Sequence, residues 1–107
     1  CDNDINRVNG RTSFEAMRAG DSAGKSVVDG YINYVAVGVA NIVNIFQPDV
    51  FCIGGGISHE GDTLINPIKE FVKGENYARN SAKKTEIKAA SLGNDAGIIG
   101  AAYLCNL

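Results

Sequence analysis

The middle of the chain reads Pro48-Asp49-Val50-Phe51-Cys52-Ile53-Gly54-Gly55-Gly56-Ile57-Ser58, a short apolar run that ends in three glycines. A continuous apolar run without alternation is typical of a strand covered on both faces in a parallel sheet. Glycine lacks a Cβ, so the turn after the strand can adopt positive φ and let a ligand approach the main chain. Ligands of open α/β sheets bind at the carboxyl ends of strands. The stretch therefore predicts a strand followed by a nucleotide-type site.

A long helix is predicted before this strand, from residue 22 to about residue 46. Its apolar residues recur at steps of three and four, and the stripe expected to face the core is Val28, Ile32, Val35, Val39, Ile42 and Phe46. Asp21 or Ser22 is the expected N-cap. Pro48 ends the helix, because the residue before a proline is disfavoured in the αR region.

The other predicted elements are a helix at residues 12–19, a third helix that starts at Asn66-Pro67 and ends at Gly74, a helical turn at 77–81, a strand at 84–90, and a last helix capped by Asn94-Asp95 that ends at Leu104. The order α, α, β, α, β, α predicts an α/β fold whose parallel strands are joined by right-handed crossovers. Two strands leave unpaired edges. We therefore expect the sheet to be incomplete in this chain.

Composition favours one small globular domain, with 107 residues, 45% apolar and 21% charged. Ten basic and twelve acidic residues give a net charge of −2, and no basic cluster exceeds the Lys83-Lys84 pair, so we expect no nucleic-acid contact from this segment. No leader and no uninterrupted apolar segment of membrane length is seen, so we expect no membrane contact. The first residue is not methionine, and we expect a fragment of a longer protein.

Three cysteines, Cys1, Cys52 and Cys105, are too far apart for a zinc-ligand pair and odd in number for a disulfide framework. A reducing, cytoplasmic location follows as an expectation. Cys52 lies inside the apolar strand, where we expect a small buried hydrophobic residue.

Two common glycine motifs fail on spacing. The run from Gly20 to Ser26 has three residues between its glycines, whereas a phosphate-binding loop needs four; we interpret it as a helix start. The dinucleotide fingerprint needs a third glycine where this chain has His59.

A third pattern fits: a long helix, a strand, three glycines and a helix, as in the actin-like, sugar-kinase and heat-shock ATPases. Residues 38–58, followed by Gly61-Asp62 and Pro67, strongly resemble the ROK family of bacterial sugar kinases and repressors. Residues 14–21 resemble that family's helix before the long one, and residues 92–102 resemble its last helix. The resemblance covers nearly the whole chain in the right order.

The resemblance implies that residues 1–107 are the C-terminal nucleotide-binding portion of an actin-like (ribonuclease H-like) ATPase domain. Gly54, Gly55 and Gly56 would form the adenosine motif, with Ser58 near the same loop. The parent would use ATP and Mg²⁺ to phosphorylate a hexose, typically glucose, as a cytoplasmic homo-oligomer. The family's catalytic aspartate, phosphate loop and zinc motif have no counterpart here, so no catalytic or metal residue is assigned and the chain alone is expected to be inactive.

Alternatives remain open at this point: the sugar-sensing domain of a ROK repressor, a stand-alone interaction module, or a tight glycine turn that binds nothing. His59 is expected to be a solvent-facing loop residue. Among Asp49, Asp62 and Asp95, which are first interpreted as turn or cap residues, Asp62 is the most favourably placed to approach a ligand. Asn41 and Asn44 are expected to bond backbone or neighbouring loops.

Overall fold

The structure is a computed structural model that describes residues 4–78 and 80–105, apart from the side chain of residue 94. Its helices and strands are α1 (Thr12–Arg18), α2 (Ser22–Phe46), β1 (Val50–Ile53), α3 (Asp62–Glu75), β2 (Glu86–Ala89) and α4 (Ala96–Leu104). Short 3₁₀ turns occupy Ile5–Arg7, Gly56–Glu60 and Gly93–Asp95. The predicted order of helices and strands is confirmed.

The two strands pair in parallel, with Val50 opposite Glu86 and Ile53 opposite Ala89. The Ala90 N–H donates to the Ile53 carbonyl at 2.8 Å, which extends the pairing beyond β1. The predicted parallel arrangement is confirmed, and the predicted strand at 84–90 forms with narrower bounds.

Burial of β1 on both faces was a wrong prediction. Phe51 and Ile53 pack against the core, whereas Val50 is 43% exposed and Cys52 is exposed as well. In the described residues the strand is covered on one face, so alternate side chains point to solvent. The expectation that Cys52 is a buried hydrophobic residue is wrong for the same reason.

The core lies where α2 packs against α1 and α3. Its buried members include Phe14 of α1, Val28, Ile32 and Val43 of α2, Leu64, Ile68 and Val72 of α3, and Ile87 of β2. Leu64 and Ile68 have no exposed surface. Each such side chain contributes about 1.5–3 kcal/mol by leaving water.

Both predicted ends of α2 are confirmed. The Asp21 carboxylate accepts hydrogen bonds from the N–H groups of Ala23 and Gly24, at 2.7 and 3.4 Å. Gln47 adopts the left-handed conformation with φ 44°, and its N–H donates to the Val43 carbonyl at 2.8 Å. The helix therefore ends at Phe46, and Gln47, the residue before Pro48, is not helical, as the proline requires.

The stripe predicted on α2 is correct from Val28 to Val39, because Val28, Ile32 and Val39 are buried and Val35 packs against the core, and it is wrong beyond that point. Ile42 is 41% and Phe46 73% exposed, while Ala36, Ala40 and Val43 are buried instead. Small side chains at 36 and 40 let a neighbouring helix approach closely, so the packed face follows these residues. The predicted stripe omitted Ala36, Ala40 and Val43, which are buried on the packed face.

The glycines of the rejected phosphate-loop pattern have structural roles. Gly20 has φ 88° and ends α1, with its N–H donating to the Met17 carbonyl at 3.0 Å. At Gly24, a Cβ would lie 2.7 Å from the Ala16 Cβ and 2.8 Å from the Met17 nitrogen. A side chain there has no room, so α1 and α2 pack in direct contact at this point.

Helix α3 begins at Asp62, four residues before the predicted start at Asn66. Gly61 has φ 54°, and its carbonyl accepts from the N–H groups of Leu64 and Ile65 at 3.1 and 3.0 Å. This turn starts the helix early, so Pro67 lies inside it. The helix also continues past Gly74 to Glu75. Residues 77–81 were predicted as a helical turn; in their described part the chain makes only turns.

The last helix is confirmed at Ala96–Leu104, but its capping was predicted wrongly in part. Asp95 precedes it in an αR conformation and makes no side-chain hydrogen bond to the helix. The 3₁₀ turn Gly93–Asp95 leads directly into α4, so the chain enters with helical dihedrals instead of the extended ones of an N-cap. The side chain of Asn94 lies outside the described residues.

One described helix, α2, is long and apolar enough to cross a membrane by length and composition. A core helix of a globular protein passes the same test, and α2 supplies Val28, Ile32 and Val43 to the core. The expected lack of membrane contact stays a prediction.

Candidate functional site

The three glycines form a fixed turn at the end of β1. Gly55 has φ 76° and ψ −172°, a region that is essentially restricted to glycine. Its carbonyl accepts two hydrogen bonds from Ser58, one from the N–H at 3.1 Å and one from the hydroxyl at 2.7 Å. Ser58 is 7% exposed. The Ser58 hydroxyl is therefore engaged inside the loop and holds the turn in shape.

The outer side of the turn is open. A Cβ on Gly55 or Gly56 would meet no atom within 4 Å, and one on Gly54 would touch only the Ala90 Cβ at 3.8 Å. The φ of Gly56 is not positive, so neither dihedral angles nor packing within the described residues requires glycine there. An uncrowded backbone at Gly56 is what a closely approaching ligand requires.

A groove of about 670 Å³ lies beside the turn, between it and the first two helices. Its apolar walls include Phe14 of α1, Val27 and Tyr31 of α2, and Ile57 of the turn. Phe14 is buried and meets Tyr31 edge to face, with ring centroids 6.3 Å apart. Tyr31 is 41% exposed. The volume and the mostly apolar lining are those of a small-molecule site.

The groove was not predicted from the sequence, because its walls come from three separate segments of chain. One signal was present: the apolar arc of α2 is wider than a single core stripe, and Tyr31 lies on the additional face. The glycine turn was predicted, and Gly56 is the point at which it joins the groove.

Polar groups line part of the same groove, namely Asn9, Arg11, Ser13 and Glu60. Glu60 ends the 3₁₀ turn, and its Oε2 accepts a hydrogen bond from Nη1 of Arg18 at 2.6 Å. The Glu60 side chain is 10% exposed and that of Arg18 53%. This ion pair ties α1 to the glycine turn across 42 residues of sequence and was not predicted either.

The remaining candidates lie outside the groove lining. His59 is exposed, as predicted, and stands near Gly93, where a Cβ would be 3.5 Å from its Nε2. Asp62 is exposed in the first turn of α3. Asp49 pairs with Lys83 at 2.7 Å on the surface. Within residues 4–78 and 80–105, no three His, Cys, Asp or Glu side chains are grouped as metal ligands would be.

Comparison with known proteins gives consistent results. The sequence model of the ROK family matches residues 2–107. Glucokinase from Halalkalibacterium halodurans is 42% identical over 91 residues, which are 85% of this chain and 27% of the relative. Glucokinase from Thermotoga maritima is 39% identical over 92 residues, which are 85% of this chain and 28% of the relative. The chain thus spans less than a third of these relatives.

A solved structure also matches. The crystal structure of a ROK family glucokinase from Streptomyces griseus in complex with glucose and AMPPNP superposes with a TM-score of 0.80 at 29% identity. The match covers 96% of this chain and 33% of that one. It confirms the predicted α/β class and the resemblance to the actin-like sugar kinases. On the family match, the sequence identities and the fold together, the chain belongs to the ROK family.

Proposed function

We propose that residues 1–107 are the C-terminal, adenosine-side portion of a longer ATP-dependent hexose kinase that transfers the γ-phosphoryl group of ATP to a hydroxyl of a glucose-type sugar. The observation that carries the proposal is the open glycine turn at the end of β1, which joins an apolar groove of about 670 Å³ at Gly56. Two findings on related proteins support it: the relatives are named glucokinases, and the matching glucokinase structure was solved in complex with glucose and AMPPNP.

The groove suits the flat, largely apolar faces of a nucleobase. Val27 and Tyr31 of α2 and Ile57 of the turn all line it, while the bare backbone of Gly54, Gly55 and Gly56 leaves room for the ribose and phosphates. Ser58 contributes indirectly in this proposal, by fixing the carbonyl of Gly55. Phosphoryl transfer depends mainly on positioning and on charge stabilisation. This portion supplies positioning of the nucleotide.

Mg²⁺ remains part of the proposal only for the whole protein. The described residues contain no group of three ligands for it, and Mg²⁺ in kinases is held largely by substrate phosphates, waters and one or two carboxylates. We therefore assign no metal ligand and no catalytic residue to this chain. On its own it should not catalyse.

Kinase is preferred over repressor as the parent. The relatives at 39 and 42% identity are named glucokinases, which favours an enzyme. The N-terminal sequence of the full-length protein tests this directly: an Asp-Gly-Thr-type phosphate loop supports the kinase, and a basic helix-turn-helix segment supports the repressor.

The exposed face of β1, at Val50 and Cys52, supports the proposal of an incomplete sheet that other segments or chains cover. We propose a cytoplasmic homo-oligomer without nucleic-acid contact from this portion. Size-exclusion chromatography of the isolated chain tests incompleteness: a monomer that unfolds cooperatively would contradict it and would favour a stand-alone module.

Binding of ATP to the full-length protein tests the site. Gly56→Val places a branched side chain where the groove meets the turn, at a position where the added Cβ meets no atom of the described residues within 4 Å. We expect ATP to bind at least tenfold more weakly, with glucose affinity retained. Gly74→Val in α3, where a Cβ also meets nothing within 4 Å, is the matched control. Equal ATP affinity of the Gly56 variant and the wild type would refute the assignment of this loop.

A further inference from the structure

Glu60 is the least exposed of the charged side chains that line the groove. Its Oε2 is occupied by Arg18 at 2.6 Å. Its Oε1 has no hydrogen-bond partner among the described residues. In the same residues, every fully buried side-chain oxygen does have a partner, so Oε1 is not fully buried. Oε1 therefore keeps accessible surface on a side chain that is only 10% exposed, beside the groove that Glu60 lines.

We propose that Glu60 selects the nucleobase, a role that rests on the proposed binding of the nucleotide in this groove. Its Oε1 accepts a hydrogen bond from the exocyclic amino group of adenine. An ionised carboxylate only accepts hydrogen bonds, so a base with an oxo group at the same position, hypoxanthine or guanine, would face it oxygen to oxygen. Glu60 thus favours a 6-amino purine nucleotide and disfavours a 6-oxo one.

The other polar groups of the groove discriminate less. The side-chain carbonyl of Asn9 already accepts from the Arg11 N–H at 2.9 Å. Arg11 itself is exposed. The Ser13 hydroxyl can both donate and accept, so it tolerates an amino or an oxo group. Among these four polar residues of the groove, only Glu60 combines a side chain of low exposure with a group that accepts hydrogen bonds and cannot donate them.

Arg18 is a positioning residue in this proposal. It does not line the groove, but its guanidinium holds Oε2 and so limits the rotamers of Glu60. A charge-assisted hydrogen bond of this kind is short and directional. Without it the carboxylate would turn away from the base more often, and selection would weaken while the groove remained.

The test compares ATP with inosine triphosphate, which differs at position 6, in kcat/KM of the full-length protein at saturating glucose. We expect the wild type to prefer ATP by about 10- to 100-fold, the range of one charged hydrogen bond. Glu60→Gln should reduce that ratio at least tenfold, because its amide can donate to the oxo group. Arg18→Ala should reduce it less, and Arg18→Lys should restore part of it.

Asp29→Asn is the matched control, a carboxylate-to-amide change in the exposed Lys25–Asp29 ion pair of α2, and it should leave the ratio unchanged. A ratio unaffected by Glu60→Gln, or a wild type without preference, overturns the inference. If Glu60→Gln does not fold, the exposed Arg18 variants decide. If the test of Glu60 fails but Gly56→Val still weakens ATP binding, only the inference about Glu60 is wrong and the proposed function stands. If Gly56→Val does not weaken ATP binding, the proposed function and this inference are both wrong.

Discussion

The side-chain carbonyl of Asn44 accepts a hydrogen bond of 2.9 Å from the backbone N–H of Tyr77, which lies 33 residues further along the chain. The amide nitrogen of Asn44 donates to the Glu75 carbonyl at 3.0 Å. One side chain on α2 thereby bonds both a donor and an acceptor where the chain leaves α3. This holds the two helices together at the end opposite the capped start of α2.

Asn44→Ala should destabilise the protein by about 1–2 kcal/mol, since two hydrogen bonds of about 0.5–1.5 kcal/mol each are lost and their partners can partly recover water. Urea-induced unfolding measures the change. Asn41→Ala is the control, because Asn41 is exposed on the same helix, and it should stay within about 0.5 kcal/mol of the wild type. Equal effects of the two substitutions would contradict the role of Asn44.

Gly24→Ala should destabilise by about 1–3 kcal/mol, the usual result of overpacking. The new Cβ would lie 2.8 Å from the backbone nitrogen of Met17, so α1 must move away from α2. Gly30→Ala in the same helix meets nothing within 4 Å and should be neutral or stabilising by up to about 1 kcal/mol. The midpoint of thermal unfolding should fall for Gly24→Ala and should stay the same or rise for Gly30→Ala, and an unchanged midpoint for Gly24→Ala would count against the close packing of α1 on α2.

Gly55→Ala should cost about 1–3 kcal/mol, because φ 76° with ψ −172° is strained for any residue with a Cβ. The neighbouring Gly56→Ala should be close to neutral for stability, since its φ is not positive and its Cβ would be free of contacts. Chemical denaturation separates the two. The contrast distinguishes a glycine needed by the turn from a glycine kept free for a ligand, and similar costs would remove that distinction.

Local signals in the sequence predicted most of the fold. Asp21 and Pro48 marked the ends of α2 because capping and the proline ring act on neighbouring residues only. The start of α3 was predicted wrongly, since Asn66-Pro67 is a strong local signal, but the positive φ of Gly61 and the burial of Leu64 favoured an earlier start. Burial of Cys52 was also wrong, because coverage of a sheet face depends on what else packs there.

The part of the candidate site that consecutive residues form could be predicted from the sequence, and the part that distant segments form together could not. Three consecutive glycines after an apolar run indicated the turn. The groove, however, is lined both by Tyr31 of α2 and by Ile57 of the turn, and the ion pair of Arg18 with Glu60 joins residues 42 positions apart. No spacing rule relates such pairs, so only the packed structure brings them together.

The 107-residue chain alone should not phosphorylate glucose, even if it folds and binds nucleotide. Catalysis of phosphoryl transfer requires the γ-phosphate, a metal ion and the accepting hydroxyl to be held in line, and the described residues provide a groove of about 670 Å³ but no grouped metal ligands. A coupled assay of ADP release, with and without glucose, measures this against the full-length protein at equal concentration. Titration of the same chain with a fluorescent ATP analogue separates loss of binding from loss of chemistry. Glucose-dependent ADP release by the chain alone would show that the catalytic groups lie within these residues, and the division of labour proposed for this portion would then be wrong.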